Sequence, residues 1–129
     1  MTRSLAIRIG WMGLVTWAIP FLVSVLFYGR DGQLQIPLGT FKAIMFVCGT
    51  ATGMGLLVLL YRNGSPLPRA GLVVGAAWLA INLALDLIVL VGGFGMAAAA
   101  YFSTVAPAYL TIPILTLGVD RISRIARRP

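Results

Sequence analysis

The sequence contains no histidine, no glutamate and only one cysteine, Cys48. Histidine is the commonest general base and the usual metal ligand, so its absence removes the normal starting point for an active site. Ser24 and Ser103 have no histidine partner that could activate them, and no Walker, Rossmann or Cys-x-x-Cys motif is present. A single cysteine also excludes an intrachain disulfide. We therefore expect a protein that is not an enzyme and that holds no metal and no cofactor.

Charge is scarce as well. Only 10% of the 129 residues are charged and 60% are hydrophobic, and the mean hydropathy of +0.97 lies outside the range of ordinary soluble domains. The net charge of +7 arises from ten basic residues against Asp31, Asp86 and Asp120. Most of the basic residues flank hydrophobic runs, where they can contact lipid headgroups. A nucleic-acid-binding protein would instead show a continuous basic face. We expect an integral membrane protein whose partners are the bilayer and anionic lipid headgroups, with no nucleic acid.

The hydrophobic runs predict membrane-spanning helices, two of which contain a proline. Pro20 lies near the middle of the first run and predicts a kink, and Pro113 interrupts the hydrogen-bond ladder of the last run. Residues 96–106 form a shorter uncharged segment, which we expect to lie in the membrane interface as a short helix or to dip into the protein. Tyr101 and Phe102 would then lie at headgroup level.

Together these runs predict one all-α transmembrane domain over residues 1–129, built as a four-helix bundle with a short interfacial helix between the third and fourth spans. The predicted spans cover about residues 9–28, 42–61, 71–91 and 107–121.

The distribution of arginine predicts the orientation. The N-terminus, the 62–69 loop and the C-terminal tail hold eight arginines, whereas the 29–42 and 92–106 connections hold only Arg30 and Lys42. The positive-inside rule then places both termini in the cytoplasm of a prokaryotic cell, with the chain in the inner (plasma) membrane. The tail predicts headgroup contacts through Arg121, Arg124, Arg127 and Arg128.

The third run carries a carboxylate into the membrane. An aspartate near a helix centre costs about 2.5–3.5 kcal/mol, and each leucine, isoleucine or valine around it returns about 0.3–0.6 kcal/mol, so insertion is still favourable. A helical period places the small and polar residues of this run within about 100° of one another, as a polar seam. That face contains Gly71, Gly75, Trp78, Leu79, Asn82, Asp86 and Val89.

Small residues predict where helices approach closely. The second run contains Gly49-x-x-x-Gly53, flanked by Thr50, and the third contains Gly71-x-x-x-Gly75. This spacing allows two helix backbones to meet, either within the chain or in an oligomer. We expect the glycine face of the second helix to pack antiparallel against the polar seam of the third.

That packing would bring Lys42 and Asp86 to the same membrane surface, within reach of an ion pair. Two interpretations of Asp86 follow. In the first, Asp86 is a structural group, which is either paired with Lys42 or protonated and bonded to Asn82 or a threonine. In the second, it belongs to a pathway for a solute, an ion or a proton. The candidate pathway residues are Asp86, Asn82, Lys42 and Thr50.

The segment INLALDLIVLVGGFGM followed by YLTIPILTLGV resembles a group of small four-span prokaryotic membrane proteins. The shared pattern is Asn-x-x-x-Asp, at Asn82 and Asp86, followed by Tyr-x-x-Ile-Pro, at Tyr109 to Pro113. The resemblance covers the third and fourth spans and implies their topology. It implies no activity and no site residues.

The sequence thus predicts a non-enzymatic membrane protein that acts as an oligomeric channel or a small transporter component, with its polar seam at Asn82 and Asp86. The alternative is an accessory or assembly subunit that packs against a larger membrane complex. The two differ around Asp86, since transport needs a wet polar route and an accessory subunit needs a dry, satisfied carboxyl group.

Overall fold

The computed structural model describes all 129 residues, of which 77% are helical, with no β-strand. A π-helix, Leu87–Gly93, continues the third α-helix, and a 3-10 helix, Ala106–Leu110, leads into the fifth. The α-helices are α1 (Arg3–Val25), α2 (Leu38–Tyr61), α3 (Ala70–Asp86), α4 (Ala98–Thr104) and α5 (Thr111–Ala126).

Three helices are long and apolar enough to cross a membrane. They are α1, α2 and the continuous helix formed by α3 with the π-helix, and their mean hydropathies are 1.6, 2.1 and 2.2. The fourth candidate is a bent pair, α4 with the helix over 106–126, whose two parts meet at 45°. The predicted all-helical class is confirmed, and the three to four apolar helices are consistent with a membrane protein.

The two prolines predicted to disturb helices have different surroundings. α1 runs without interruption through Pro20. Pro113 occupies the first turn of α5, where a missing amide donor costs little, and the 3-10 helix lies directly before that turn. Pro113 therefore lies just after the change from 3-10 to α geometry, and the bend of the last span lies earlier, at Val105.

Helix α3 is the centre of the packing. It contacts both α5 and α1, while α2 packs on α1 and α5. The predicted packing of the α2 glycine face against the α3 seam is therefore wrong. The buried apolar core joins α1, α2 and α3 and consists of Ile9, Met12, Leu57, Leu60, Tyr61, Ala70, Val74 and Trp78.

Of the two glycine pairs, it is Gly71 and Gly75 that lie at a close contact between helices. A Cβ atom added to Gly71 would lie 2.7 Å from the carbonyl oxygen of Thr116, and one added to Gly75 would clash with the Thr116 hydroxyl. A Cβ at Gly49 would be 4.0 Å from Pro20, and one at Gly53 would have no atom within 4 Å. Gly71 and Gly75 thus allow α5 to approach α3, whereas Gly49 and Gly53 mediate no close contact within the chain.

At the end of the molecule that carries both termini, Asp120 ties α5 to the connection between α2 and α3. Its carboxylate accepts hydrogen bonds from Tyr61 (3.3 Å) and Ser65 (3.1 Å) and forms an ion pair with Arg124 at 3.1 Å. Arg127 donates to the carbonyl of Asn63 at 2.8 Å. Two of the four tail arginines therefore bind the protein itself, whereas the side chains of Arg121 and Arg128 make no hydrogen bond within the chain.

Candidate functional site

The polar face of α3 forms a ladder of hydrogen bonds to α1. Trp78 donates its indole N–H to the carbonyl of Ile9 at 2.9 Å. One turn further along, Asn82 donates to the hydroxyl of Thr16 at 2.7 Å. The four-residue spacing of Trp78, Asn82 and Asp86 places all three side chains on this side of the helix. The polar side chains of the predicted seam are therefore buried and face α1, whereas its glycines, Gly71 and Gly75, face α5.

Asp86 ends α3 and is only 3% exposed. Its Oδ1 accepts the indole N–H of Trp17 at 2.7 Å. Its Oδ2 accepts the hydroxyl of Tyr109 at 2.5 Å and that of Tyr101 at 3.1 Å. Three neutral donors from α1, α4 and the 3-10 helix thus converge on one buried carboxyl group.

The expected partners of Asp86 are not the ones found. The only ion pair in the molecule joins Asp120 and Arg124, so the predicted Lys42–Asp86 pair is not formed. Asn82 is bonded to Thr16 and the Trp78 carbonyl and not to Asp86. The physical reason is that α2 packs on α1 and α5, which leaves its exposed Lys42 away from the end of α3.

The two tyrosines that bind Asp86 were not predicted as site residues. Tyr101 was expected beside Phe102 at headgroup level, but Tyr101 is completely buried and only Phe102, at 53%, is exposed. The alternative expectation, a segment that dips into the protein, describes Tyr101 correctly. For Tyr109 the signal available was its place in the Tyr-x-x-Ile-Pro motif, which did not indicate a role.

A π-helix begins immediately after Asp86. Its wider turn is marked by the bond from the Phe94 amide to the carbonyl of Val89, at 2.9 Å. Such helices are rare and occur often at functional sites, because they shift the register of everything that follows. Here the shift precedes the turn into α4, the helix that carries Tyr101 back to the carboxyl group.

A cavity of about 1230 Å³ lies among α1, α2, α3 and the last helical segment, all of which contribute residues to its walls. Its walls include all four candidate pathway residues, Asp86, Asn82, Lys42 and Thr50, together with Gly49 and Gly53. The hydroxyl oxygen of Thr50 is buried and has no hydrogen-bond partner. The predicted site residues are therefore brought together as the walls of one cavity and not as a contacting pair.

The chemistry of this cavity is mainly apolar, since 20 of its 33 lining residues are hydrophobic. No group of cysteine or aspartate side chains lies close enough together to hold a metal ion. Comparisons with protein-family models, with curated proteins and with solved structures found no match.

Proposed function

We propose that the chain is a non-enzymatic, four-span protein of a prokaryotic inner membrane, with both termini in the cytoplasm, that acts as a small transporter component. In this proposal a solute occupies the cavity between α2 and α3 and is recognised at Asp86. One observation carries the proposal. The only carboxyl group within the three long apolar helices is buried and lies in the wall of a cavity of about 1230 Å³.

The size and lining of the cavity support solute binding. Small-molecule sites are concave, mostly apolar, and carry a few polar groups that orient the ligand, in volumes of about 300–1000 Å³. The cavity is somewhat larger than that and combines an apolar wall with Asp86, Asn82 and Thr50. An ionisable residue at membrane depth is costly and is by default a functional candidate.

The lining favours a binding cavity over an ion channel. A channel needs a continuous polar route, and most of the residues lining this cavity are hydrophobic. The walls also come from one chain, because α1, α2, α3 and the last helical segment all contribute lining residues. An oligomer is therefore not required to build the site, although a homo-oligomer or a larger membrane complex is compatible with it.

The second candidate is an accessory subunit, and the glycine face of α2 favours it. Gly53 has open space where a Cβ would be, and Gly49 is almost as free, so a partner helix could pack there. The three donors on Asp86 also satisfy it without any ligand. The two functions differ in one respect, since a transporter cavity is wet and a partner-filled groove is dry.

Cysteine accessibility distinguishes the two functions. In a Cys48→Ala background we expect Gly53→Cys to react with a small water-soluble methanethiosulfonate, because position 53 lines the cavity and has open space. Gly55→Cys is the matched control. It also has open space but does not line the cavity, so in a bilayer its thiol would face lipid, where thiolate does not form.

Labelling at position 53 but not at position 55, measured by mass spectrometry after reconstitution into nanodiscs, would support a water-accessible cavity. Equal lack of labelling at both positions would contradict the transporter proposal. It would favour the accessory subunit, with the groove filled by a helix or by lipid.

The proposed topology predicts a second labelling pattern. Single cysteines at Ser4 and Ser123, in the same Cys48→Ala background, should be shielded from an impermeant maleimide in intact cells. A cysteine at Gln33, in the exposed connection between α1 and α2, should be labelled. Labelling at Ser4 or Ser123 before the cells are permeabilised would overturn the orientation, which rests on the arginine count alone.

A further inference from the structure

We propose that the ligand of this cavity is an apolar organic cation, held by its positive charge against the carboxylate of Asp86. This inference rests on the proposed function, since it names the chemical class of the solute. It is carried by three features of the same wall. These are an anion without a protein cation, an aromatic surface beside it, and unfilled space opposite.

The first feature is the uncompensated carboxylate. The two oxygens of Asp86 are surrounded by three donors, from Trp17, Tyr101 and Tyr109, an arrangement that suits a carboxylate ion because such an ion only accepts hydrogen bonds. All three donors are neutral, and no lysine or arginine lies within ion-pair distance. As a carboxylate, Asp86 gives the cavity wall a negative charge that no lysine or arginine of the chain pairs with.

The second feature is the aromatic surface next to that charge. Trp17 and Phe21 stack with their ring centroids 4.6 Å apart, and both line the cavity together with Tyr109. The faces of such rings attract cations, with Trp the strongest, and the attraction grows when water is excluded. Trp17 and Tyr109 thus serve twice, as donors to Asp86 and as aromatic side chains that line the cavity beside it.

The third feature is the space opposite Asp86. The α2 wall presents Gly49 and Gly53, and no atom lies within 4 Å of a Cβ built on Gly53. An apolar body can therefore lie against α2 while its charged atom faces α3. Apart from Lys42, the other polar side chains that line the cavity, Thr50 and Asn82 among them, are neutral.

Lys42 raises the opposite possibility, an anionic amphiphile. Lys42 also lines the cavity, but it is exposed near the beginning of α2, where its charge can reach water or headgroups. Asp86, by contrast, is buried at 3% exposure. Because an electrostatic interaction is stronger where water is excluded, the buried anion should decide the sign of the ligand.

The test compares two ions of matched shape and opposite charge. Binding of radiolabelled tetraphenylphosphonium and of tetraphenylborate is measured on the full chain in nanodiscs, with empty nanodiscs subtracted. We expect the wild-type protein to bind the phosphonium at least about tenfold more tightly than the borate, the size of effect typical of a desolvated charge contact. This selectivity is read from the native chain and does not depend on any variant.

Three variants locate the binding. Asp86→Asn should lower phosphonium affinity at least about tenfold and leave borate binding unchanged or stronger. Asp31→Asn, which removes an exposed acidic group outside the cavity, is the matched control and should bind both ions as the wild type does. Gly53→Phe adds a large side chain to the α2 wall of the cavity while keeping Asp86, and it should weaken phosphonium binding.

Equal binding of the two ions by the wild type would overturn the charge assignment and leave the proposed solute cavity intact. Tighter binding of the borate, lost in Lys42→Gln, would assign the cavity to an anionic amphiphile instead. Failure to bind either ion would also overturn the inference. The labelling of positions 53 and 55 would then decide separately whether a water-accessible cavity exists.

Discussion

Replacing Gly71 by leucine should prevent the chain from folding to a stable monomer. A Cβ at this position would lie 2.7 Å from both the Thr116 carbonyl oxygen and the Asp120 Cβ, and 3.1 Å from the Leu117 Cα. Backbone atoms on this side cannot turn away as a flexible side chain can, so the α3–α5 contact would have to separate. Overpacking of a well-packed interior typically costs about 1–3 kcal/mol, and a close backbone contact belongs at or above the upper end.

The measurement is thermal aggregation in detergent, followed by gel filtration. Gly53→Leu is the matched control, because it lies in an equally spaced glycine pair but meets no atom within 4 Å. We expect its aggregation temperature to stay near that of the wild type. If Gly53→Leu aggregated as early as Gly71→Leu, the α2 glycine face would have to be closely packed, most simply against a second copy of the chain.

Asp86→Asn should destabilise the protein by about 1–3 kcal/mol, the cost of leaving buried donors unsatisfied. Asparagine offers one oxygen and an amide N–H₂ group in place of two accepting oxygens. It can keep either the Trp17 bond or the bonds from Tyr101 and Tyr109, but not all three as they stand. Because the donors come from three different elements, the loss should loosen the attachment of α4 and the 3-10 helix to α3.

This effect can be measured by reversible unfolding in mixed micelles, with Asp31→Asn as the control. Asp31 is exposed and accepts a hydrogen bond from the backbone N–H of Gln33 within its own turn. We therefore expect its replacement to change the free energy of unfolding by less than about 0.5 kcal/mol. An Asp86→Asn variant as stable as this control would mean that the three donors do not hold the carboxyl group.

The spacing of the polar residues along α3 was enough to predict a buried polar face. Trp78, Asn82 and Asp86 recur every four residues, so their common direction follows from helix geometry alone. The helix that they face did not follow from it. Periodicity describes one helix at a time, and the partners of this face, Ile9, Thr16 and Trp17, are spread along α1, where nothing distinguishes them from lipid-facing neighbours.

The two glycine pairs show the same limit. Gly49-x-x-x-Gly53 and Gly71-x-x-x-Gly75 have the same spacing, yet only the second is closely packed. The difference arises from what lies opposite, which is the backbone of α5 at Thr116 in one case and a cavity in the other. A local motif contains no information on that choice, and the expected pairing of Lys42 with Asp86 failed for this reason.

Tyr101 and Tyr109 were missed because the chain from Asp86 to Tyr109 is not one regular helix. A π-helix, a short α-helix and a 3-10 helix follow Asp86, with a bend of 45° before the last segment. Neither a period of 3.6 nor a constant direction applies across such a stretch, so the directions of the two side chains could not be derived by counting residues.

A double-mutant cycle tests most directly whether Asp86 is held by neutral donors and not by Lys42. The free energy of unfolding is measured for Asp86→Asn combined with Tyr109→Phe, and for Asp86→Asn combined with Lys42→Met. We expect the first pair to be coupled by about 0.5–3 kcal/mol and the second to be additive within about 0.5 kcal/mol. Recovery of stability on adding Lys42→Met to Asp86→Asn would show that the two charges are paired in the membrane, and would contradict an uncompensated carboxylate in the cavity wall.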